Sequence, residues 1–391
     1  MKPGLQGSHK QQPQQRVNQS AREVKFCKKC LTPSSRPRIT FDAQGVCNAC
    51  LNSEEKQKID WQKRKTEFLK LIEPYRSKDG SWDCIVPWSG GKDSSSIAYK
   101  LKFEFGLNPL LVTFSPMIPN KVGNHNREEM IRLGFDHLFF RPDQKIQRHL
   151  ARRFFIERGN PKVCWEAGKE AVPLQSAVRF GIPLVFYAEH GESEYGGKVI
   201  SEESKRTKDF TEVVEHLVGD DARNWLDQEV TEKDLNPYIY PETKKITQLG
   251  VKAFYFAYFF KWSMFENYNF IKDKFDFQTN SKGRTDGTFT NFDSLDDKID
   301  DVYYYMQFIK FGFGRTVRDT SRFIQNDHMN RQEGLVLAQK YDDEFPNEFF
   351  QDVLDYLQLS EKEFVEIVDK HRNPEIWKQE NGKWKLRYPL K

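Results

Sequence analysis

The segment Asp83–Ser96 reads DCIVPWSGGKDSSS. A short apolar strand runs into two glycines, and Lys-Asp-Ser-Ser-Ser then opens an apolar helix. A strand that turns sharply into a helix leaves free backbone N–H groups at the helix start. With the helix dipole they form an anion site. Gly90 and Gly91 let the chain come close to the anion and adopt unusual φ/ψ. Ser89, Ser94 and Ser95 add hydroxyl donors, and Lys92 is a point charge for phosphate. Asp93 is a poor phosphate neighbour unless it holds Mg²⁺ or fixes the loop. The Walker spacing G-x-x-x-x-G-K-[ST] is absent, so the loop is a phosphate site of another kind. The plain alternative is a tight turn that caps a helix.

Working outward, strands alternate with helices. The strand WDCIVPW precedes the loop, and Gly106 closes the helix after it. PLLVTFS, 109–115, is a second strand; a helix follows near 124–133 and stops at Gly134. DHLFF, 136–140, is a third strand. Helices then run from about Asp143 and over about 166–180, and lead to the strand in IPLVFYAEHGES. This order predicts right-handed βαβ crossovers and a mainly parallel sheet. Ligands bind such sheets at the carboxyl ends of strands. Three segments converge there: Pro87, Trp88 and the loop; Thr113, Phe114 and Ser115; and Glu189, His190 and Glu192. A lone histidine in that place serves a structural role as readily as a functional one. After about residue 201 strand patterns fade and the chain reads as helical and charged. Residues 253–265, AFYFAYFFKWSMF, read as a buried aromatic helix or as a cleft lining. The run is too short for a membrane span and contains Lys261.

Six cysteines occur, and four form the pairs Cys27-x-x-Cys30 and Cys47-x-x-Cys50. Each pair places two sulfurs at one knuckle, and two knuckles supply a tetrahedral Cys₄ site for structural Zn²⁺. The intervening segment has a turn at Asp42–Gly45 and predicts a small zinc ribbon. Two disulfides are the alternative, disfavoured without a secretory leader. The N-terminal stretch, rich in Gln, Pro and Ser, has no apolar h-region and reads as a disordered tail. A cytoplasmic protein is expected. Net charge is +4 from 61 basic and 57 acidic residues, too balanced to argue for nucleic acid. The predicted organisation is a tail over 1–22, a zinc ribbon over 23–55, a linker helix over 56–80, the phosphate-loop α/β domain over 81–200, and a mainly helical substrate- and partner-binding region over 201–391.

SGGKDSS after a strand resembles the pyrophosphate loop of the N-type ATP pyrophosphatases, whose fold is that of the adenine nucleotide alpha-hydrolases (HUP/Rossmann-like). Together with CKKC…CNAC, AEHGESEYGG, DSLDDKIDD, IKFGFGRTVRDTSR and NRQEGLVLAQKYDDEFP, it is similar to the N-acetyl sugar amidotransferases, over nearly the whole chain from Lys25. That resemblance implies an enzyme of lipopolysaccharide O-antigen and surface-glycan synthesis. ATP would adenylate the oxygen of a sugar acetamido group, and ammonia would then displace AMP to leave an acetamidino group. It implies ATP and Mg²⁺, and ammonia delivered by a separate glutaminase with a synthase-like partner. The acceptor would be an N-acetylated sugar, nucleotide-linked or nonulosonic. Lys92 and Asp93 would be the catalytic pair. Arg315 and Arg318, with Lys310, would meet the acceptor's charge, although an Arg pair at i, i+3 also suits a solvated helix face. A tRNA thiolase of the same fold is the rival. It would need sulfur-carrying cysteines, and only Cys84 and Cys164 remain.

Overall fold

The computed structural model describes residues 23–208 and 219–391. The expected tail over 1–22 lies outside the described residues. Five strands, β1 (Cys84–Pro87), β2 (Pro109–Phe114), β3 (Asp136–Phe140), β4 (Leu184–Tyr187) and β5 (Lys252–Tyr255), form one sheet in the order β3-β2-β1-β4-β5. Every pairing is parallel. β2 and β4 are buried at every position, as strands covered on both faces must be.

Alternate residues feed two cores. Ile85, Leu110, Val112, Phe114, Val185 and Tyr187 face one core, shared with α5 (Gln144–Arg158) and α6 (Val163–Phe180). Cys84, Val86, Leu111, Leu184 and Phe186 face the other. That second core holds α2 (Trp61–Ile72) and α3 (Lys92–Tyr99). Phe68 of α2 is fully buried there, with Phe105, Phe186 and Phe260 rings 4.9–5.5 Å away.

Two sequence expectations need correction. The aromatic run at 253–265 is not one helix. Its start is the last residues of edge strand β5, followed by a single turn, Phe256–Phe259, and a helix from Met264. Aromatic residues suit a strand end as well as a buried helix, and pairing with β4 decides between them. The sheet thus draws on a segment read as helical. The C-terminus also ends in an antiparallel hairpin, β6 (Trp377–Glu380) with β7 (Lys383–Leu386). Otherwise the region beyond β5 is mainly helical, with long helices at Asp300–Phe311, Arg315–Gln325 and Arg331–Tyr341.

The four paired cysteines sit at the N-terminus, where α1 (Asn48–Lys56) follows the second knuckle. The turn at Asp42–Gly45 is present: Gly45 N donates to Asp42 O at 3.1 Å, and Gly45 has φ +83°. Among the described residues no helix is long and apolar enough to cross a membrane.

Candidate functional site

β1 and β4 are neighbours, whereas the chain leaves β1 toward β2 on the other side. Their carboxyl ends therefore part at a topological switch point, where open α/β sheets bind ligands. The loop Ser89–Gly91 lies there. Gly90 has φ +86°, and a Cβ at that position would lie 2.4 Å from Arg127 Cγ. Arg127 in turn donates to Ser89 O at 3.1 Å and braces the loop from α4 (Lys121–Arg132). Gly91 caps α3 without a side-chain hydrogen bond, so the first turn of α3 keeps its N–H groups for an anion. Inside the loop, Gly91 N donates to Ser89 Oγ at 3.1 Å, and Ser89 N to Ser94 Oγ at 3.3 Å.

The loop opens into a cavity of about 440 Å³. Pro87, Trp88, Ser89, Ser94 and Phe114 line it, as do Glu189, His190 and Glu192 from the end of β4. Ser95 and Thr113 stand behind this wall. Ser95 Oγ accepts the Trp88 indole N–H at 2.9 Å, and Thr113 Oγ1 donates to Trp88 O. Both hold the tryptophan in place. Ser115 is buried at the end of β2.

Lys92 is buried, with its ammonium 2.9 Å from Asp93 Oδ2 and 2.5 Å from Asp293 Oδ1. Burial favours the neutral amine, but Asp293 and Asp93 outweigh it and raise the lysine pKa. Asp293 is held well below the usual carboxylate range: burial opposes this, and Lys92, Arg318 and Arg315 win. Asn267 Nδ2 donates to Asp93 Oδ1 at 3.1 Å.

The arginines have different neighbours than their spacing implies. Arg315 is 1% exposed and is locked to Asp301 at 3.0 Å and to Asp293 O at 2.6 Å. Arg318 reaches Asp293 and lies 2.8 Å from Asp319. The helix carrying them is buried on most sides rather than presenting a solvated face. Arg318 therefore belongs to the loop's charge network. Lys310 donates to Arg158 O at 2.9 Å and does not line the cavity.

The cavity's other walls gave little signal in the sequence. Trp165, Lys169 and Glu170 come from the first turns of α6, and Tyr187, Lys208 and Tyr255 from β4 and β5 or beside them. Their spacing at i, i+4 and i+5 in CWEAGKEA was the available cue. Trp165 Nε1 is buried and has no hydrogen-bond partner among the described residues. Glu170 pairs with Lys208 at 3.2 Å. Glu189 accepts the Tyr195 hydroxyl at 2.6 Å, and burial, with the charge of Asp93, raises its pKa. A carboxyl raised in this way suits proton exchange.

The four paired cysteines form a compact cluster. Cys27, Cys30, Cys47 and Cys50 are fully buried, with all four sulfurs within 4.8 Å of one another. Cys30 N and Cys47 N point at Cys27 Sγ from 3.4 and 3.3 Å, as amides do around knuckle thiolates. The sulfurs are not joined as disulfides. Four convergent thiols with N–H support fit tetrahedral Zn²⁺ and leave no ligand position for substrate. Cys84 and Cys164 are each fully buried and away from this centre.

Residues 286–391 match the family described as LPS biosynthesis protein WbpG-like, C-terminal domain. That segment carries Asp293, Arg315 and Arg318. Over 96 residues the chain is 32% identical to the uncharacterized protein MJ1599 of Methanocaldococcus jannaschii, covering 24% of this chain and 33% of that protein. The chain thus spans about a third of the length of this relative. A solved structure, of a predicted subunit of tRNA methyltransferase from the same organism, is 21% identical; the match covers 43% of this chain and 74% of that one, with a TM-score of 0.22.

Proposed function

We propose that this chain is an ATP-dependent amidotransferase of surface-glycan synthesis, converting a sugar acetamido group to an acetamidino group. The observation that carries the reading is the glycine-rich loop at the β1/β4 switch point, opening directly into the large cavity. The match of residues 286–391 to a WbpG-like domain supports the glycan assignment.

An amide oxygen is a poor leaving group. Its attack on the α-phosphorus of ATP forms the O–P bond and expels pyrophosphate. Ammonia then adds at the amide carbon, the C–O bond breaks, and AMP departs. The loop N–H groups and Lys92 would hold the pyrophosphate, so positioning and charge stabilisation supply most of the rate. Asp93 would hold Mg²⁺. Trp165, Tyr187 and Tyr255 offer ring faces for a sugar, and Lys169 with the Glu170–Lys208 pair offers charge-assisted hydrogen bonds. Glu189 would take the proton that nitrogen loses. Ammonia would come from a glutaminase and its synthase-like partner.

The test is ATP turnover by the purified chain with Mg²⁺, ammonium chloride and a panel of N-acetylated nucleotide sugars and nonulosonic acids. The expected products are AMP, pyrophosphate and a sugar lighter by about one mass unit, NH having replaced O. ADP formation, or no sugar-dependent turnover, would overturn the reading. A tRNA thiolase needs a reachable sulfur carrier, and burial pushes the Cys164 thiol up to about 12.

A further inference from the structure

A second cavity, of about 140 Å³, lies against the first. Its lining includes Asn52, Glu55 and Lys56 of α1, Ile59 on the linker that follows, Trp61 and Arg64 at the start of α2, and Ala257 with Tyr258. The short helix α7 (Gly191–Tyr195) separates the two spaces. Ser193 and Glu194 face the smaller one, and Gly191, Glu192 and Tyr195 face the larger. His190 lines both. Among the described residues it alone is common to the two linings.

The chemistry of the passage is specific. His190 is 3% exposed, its Nδ1 lies 3.2 Å from Ser193 Oγ, and its ring is 4.9 Å from that of Tyr255 in the larger cavity. Burial, together with Lys208 and Lys205, holds its pKa down to about 4. The imidazole is therefore neutral at working pH. Around the smaller cavity the charges balance: Lys56 pairs with Glu194 at 2.7 Å, and Lys205 lies 2.6 Å from Glu202 and 3.7 Å from Glu55. Arg64 stacks on Tyr258 at 3.5 Å. A space lined by balanced charges and closed by a neutral ring suits a small uncharged polar molecule. At about 140 Å³ it is too small for a nucleotide.

We propose that the smaller cavity is the entry for the nitrogen nucleophile: neutral ammonia passes from beneath α1, past His190, into the reaction cavity. This rests on the amidotransferase reading. The lining balances Lys56, Arg64 and Lys205 against Glu55, Glu194 and Glu202, so it carries no net charge to draw in a cation. Ammonia at His190 forms the new C–N bond as the C–O bond to AMP breaks, and its surplus proton goes to Glu189. The inference also gives the metal centre a task. The knuckle of Cys47 and Cys50 anchors α1, which supplies Asn52, Glu55 and Lys56 to the mouth.

Ala257→Phe fills the smaller cavity from a small residue that is 8% exposed. Ile59→Trp narrows its outer rim on the linker between α1 and α2, and serves where the first variant does not fold. The initial-rate KM for ammonium is measured with saturating ATP and acceptor, beside the KM for ATP and equilibrium binding of a non-hydrolysable ATP analogue. The expected result is a tenfold or greater rise in ammonium KM, with ATP KM and analogue binding within twofold of wild type. An unchanged ammonium KM in a folded variant would overturn the route, as would equal rises in both KM values. If the wild type forms no sugar-dependent AMP at any ammonium concentration, the reaction assignment fails first and the route falls with it.

Discussion

The Lys92 ammonium and the Asp293 carboxylate, 201 positions apart in the chain, form a buried ion pair that ties the glycine loop after β1 to the C-terminal region. Asp293 is shared with Arg318, which also holds Asp319. Signs alternate along the line Asp93, Lys92, Asp293, Arg318, Asp319, so each buried charge has a neighbour of opposite sign. A phosphate arriving at the loop competes with the carboxylates for Lys92.

Asp293→Asn leaves Lys92 and Arg318 buried with one partner fewer each. Removing one member of a buried pair costs about 3–5 kcal/mol, and that loss is expected in urea denaturation. Lys92→Met costs less in the Asp293→Asn background than alone, because the two residues share one interaction, with a coupling of about 1–3 kcal/mol. Strictly additive losses would show that the pair does not hold the loop.

Gly90→Ala tests the loop backbone. Alanine at φ +86° is strained, and its Cβ would press on Arg127 Cγ, 2.4 Å away. The conformational cost alone is about 1–2 kcal/mol. ATP-analogue affinity is expected to fall at least tenfold while the far-UV spectrum stays unchanged. Wild-type affinity would place the nucleotide elsewhere in the cavity.

The metal centre should report at a distance. Leu31 N and Thr32 Oγ1 donate to Ser321 Oγ at 3.3 and 3.2 Å, and Gln325 Nε2 lies 3.8 Å from Cys50 Sγ. The knuckles therefore support the helix that carries Arg315 and Arg318. One zinc per chain is expected by elemental analysis. Its removal by a chelator, or Cys47→Ser, should lower the melting temperature and increase proteolysis within 315–325. A stable apo protein with that helix protected would refute the coupling.

How far the sequence reaches can be judged from particular residues. β1, β2 and β4 were legible because strands buried on both faces read as unbroken apolar runs, and the loop because only glycines make that turn. β5 was not, since an aromatic run has no period that separates strand from helix. The terminal hairpin carried an unread signal. Asn381-Gly382, both at positive φ, is the two-residue turn favoured between antiparallel strands. Asp293 sat in a quoted motif, but its partner is fixed by tertiary contact, which spacing does not encode. Arg315 looked free for substrate because a sequence does not show that Asp301 already holds it.

Two histidines set an acid-side stability slope. His137 is held at about 4 by burial and by Arg127, and His190 at about 4 by burial and two lysines. Both fall below the unfolded value near 6.5, so the unfolded chain binds more protons between those limits. Stability is then full above about pH 6.5 and is lost as pH falls toward 4. Each histidine accounts for a loss of about 2 kcal/mol at pH 5. His137→Gln, which keeps a polar partner for Thr113, should shrink the difference between urea titrations at pH 7.5 and pH 5. An unaltered difference would show that His137 is protonated in the folded chain.

On the proposed reading, Trp165 tests how the large cavity is divided between nucleotide and acceptor. Its indole faces the space from the first turn of α6, with Lys162 Nζ 3.9 Å and Lys169 Nζ 5.1 Å from the ring. The buried Nε1–H lacks a protein acceptor among the described residues, so a bound oxygen that accepts it gains a full hydrogen bond. The phosphate loop contributes Ser89 and Ser94 to the same cavity. If nucleotide occupies the loop side and sugar the α6 side, Trp165→Ala removes a stacking face and a donor from the sugar alone. Together these are worth about 1–3 kcal/mol, or roughly a 5- to 150-fold rise in acceptor KM. ATP KM should stay within twofold. Lys169→Met should act in the same direction and more strongly on acceptors that carry a carboxylate or phosphate than on neutral ones. A rise in ATP KM with acceptor KM unchanged would instead seat the adenine on Trp165 and reverse the two halves of the site.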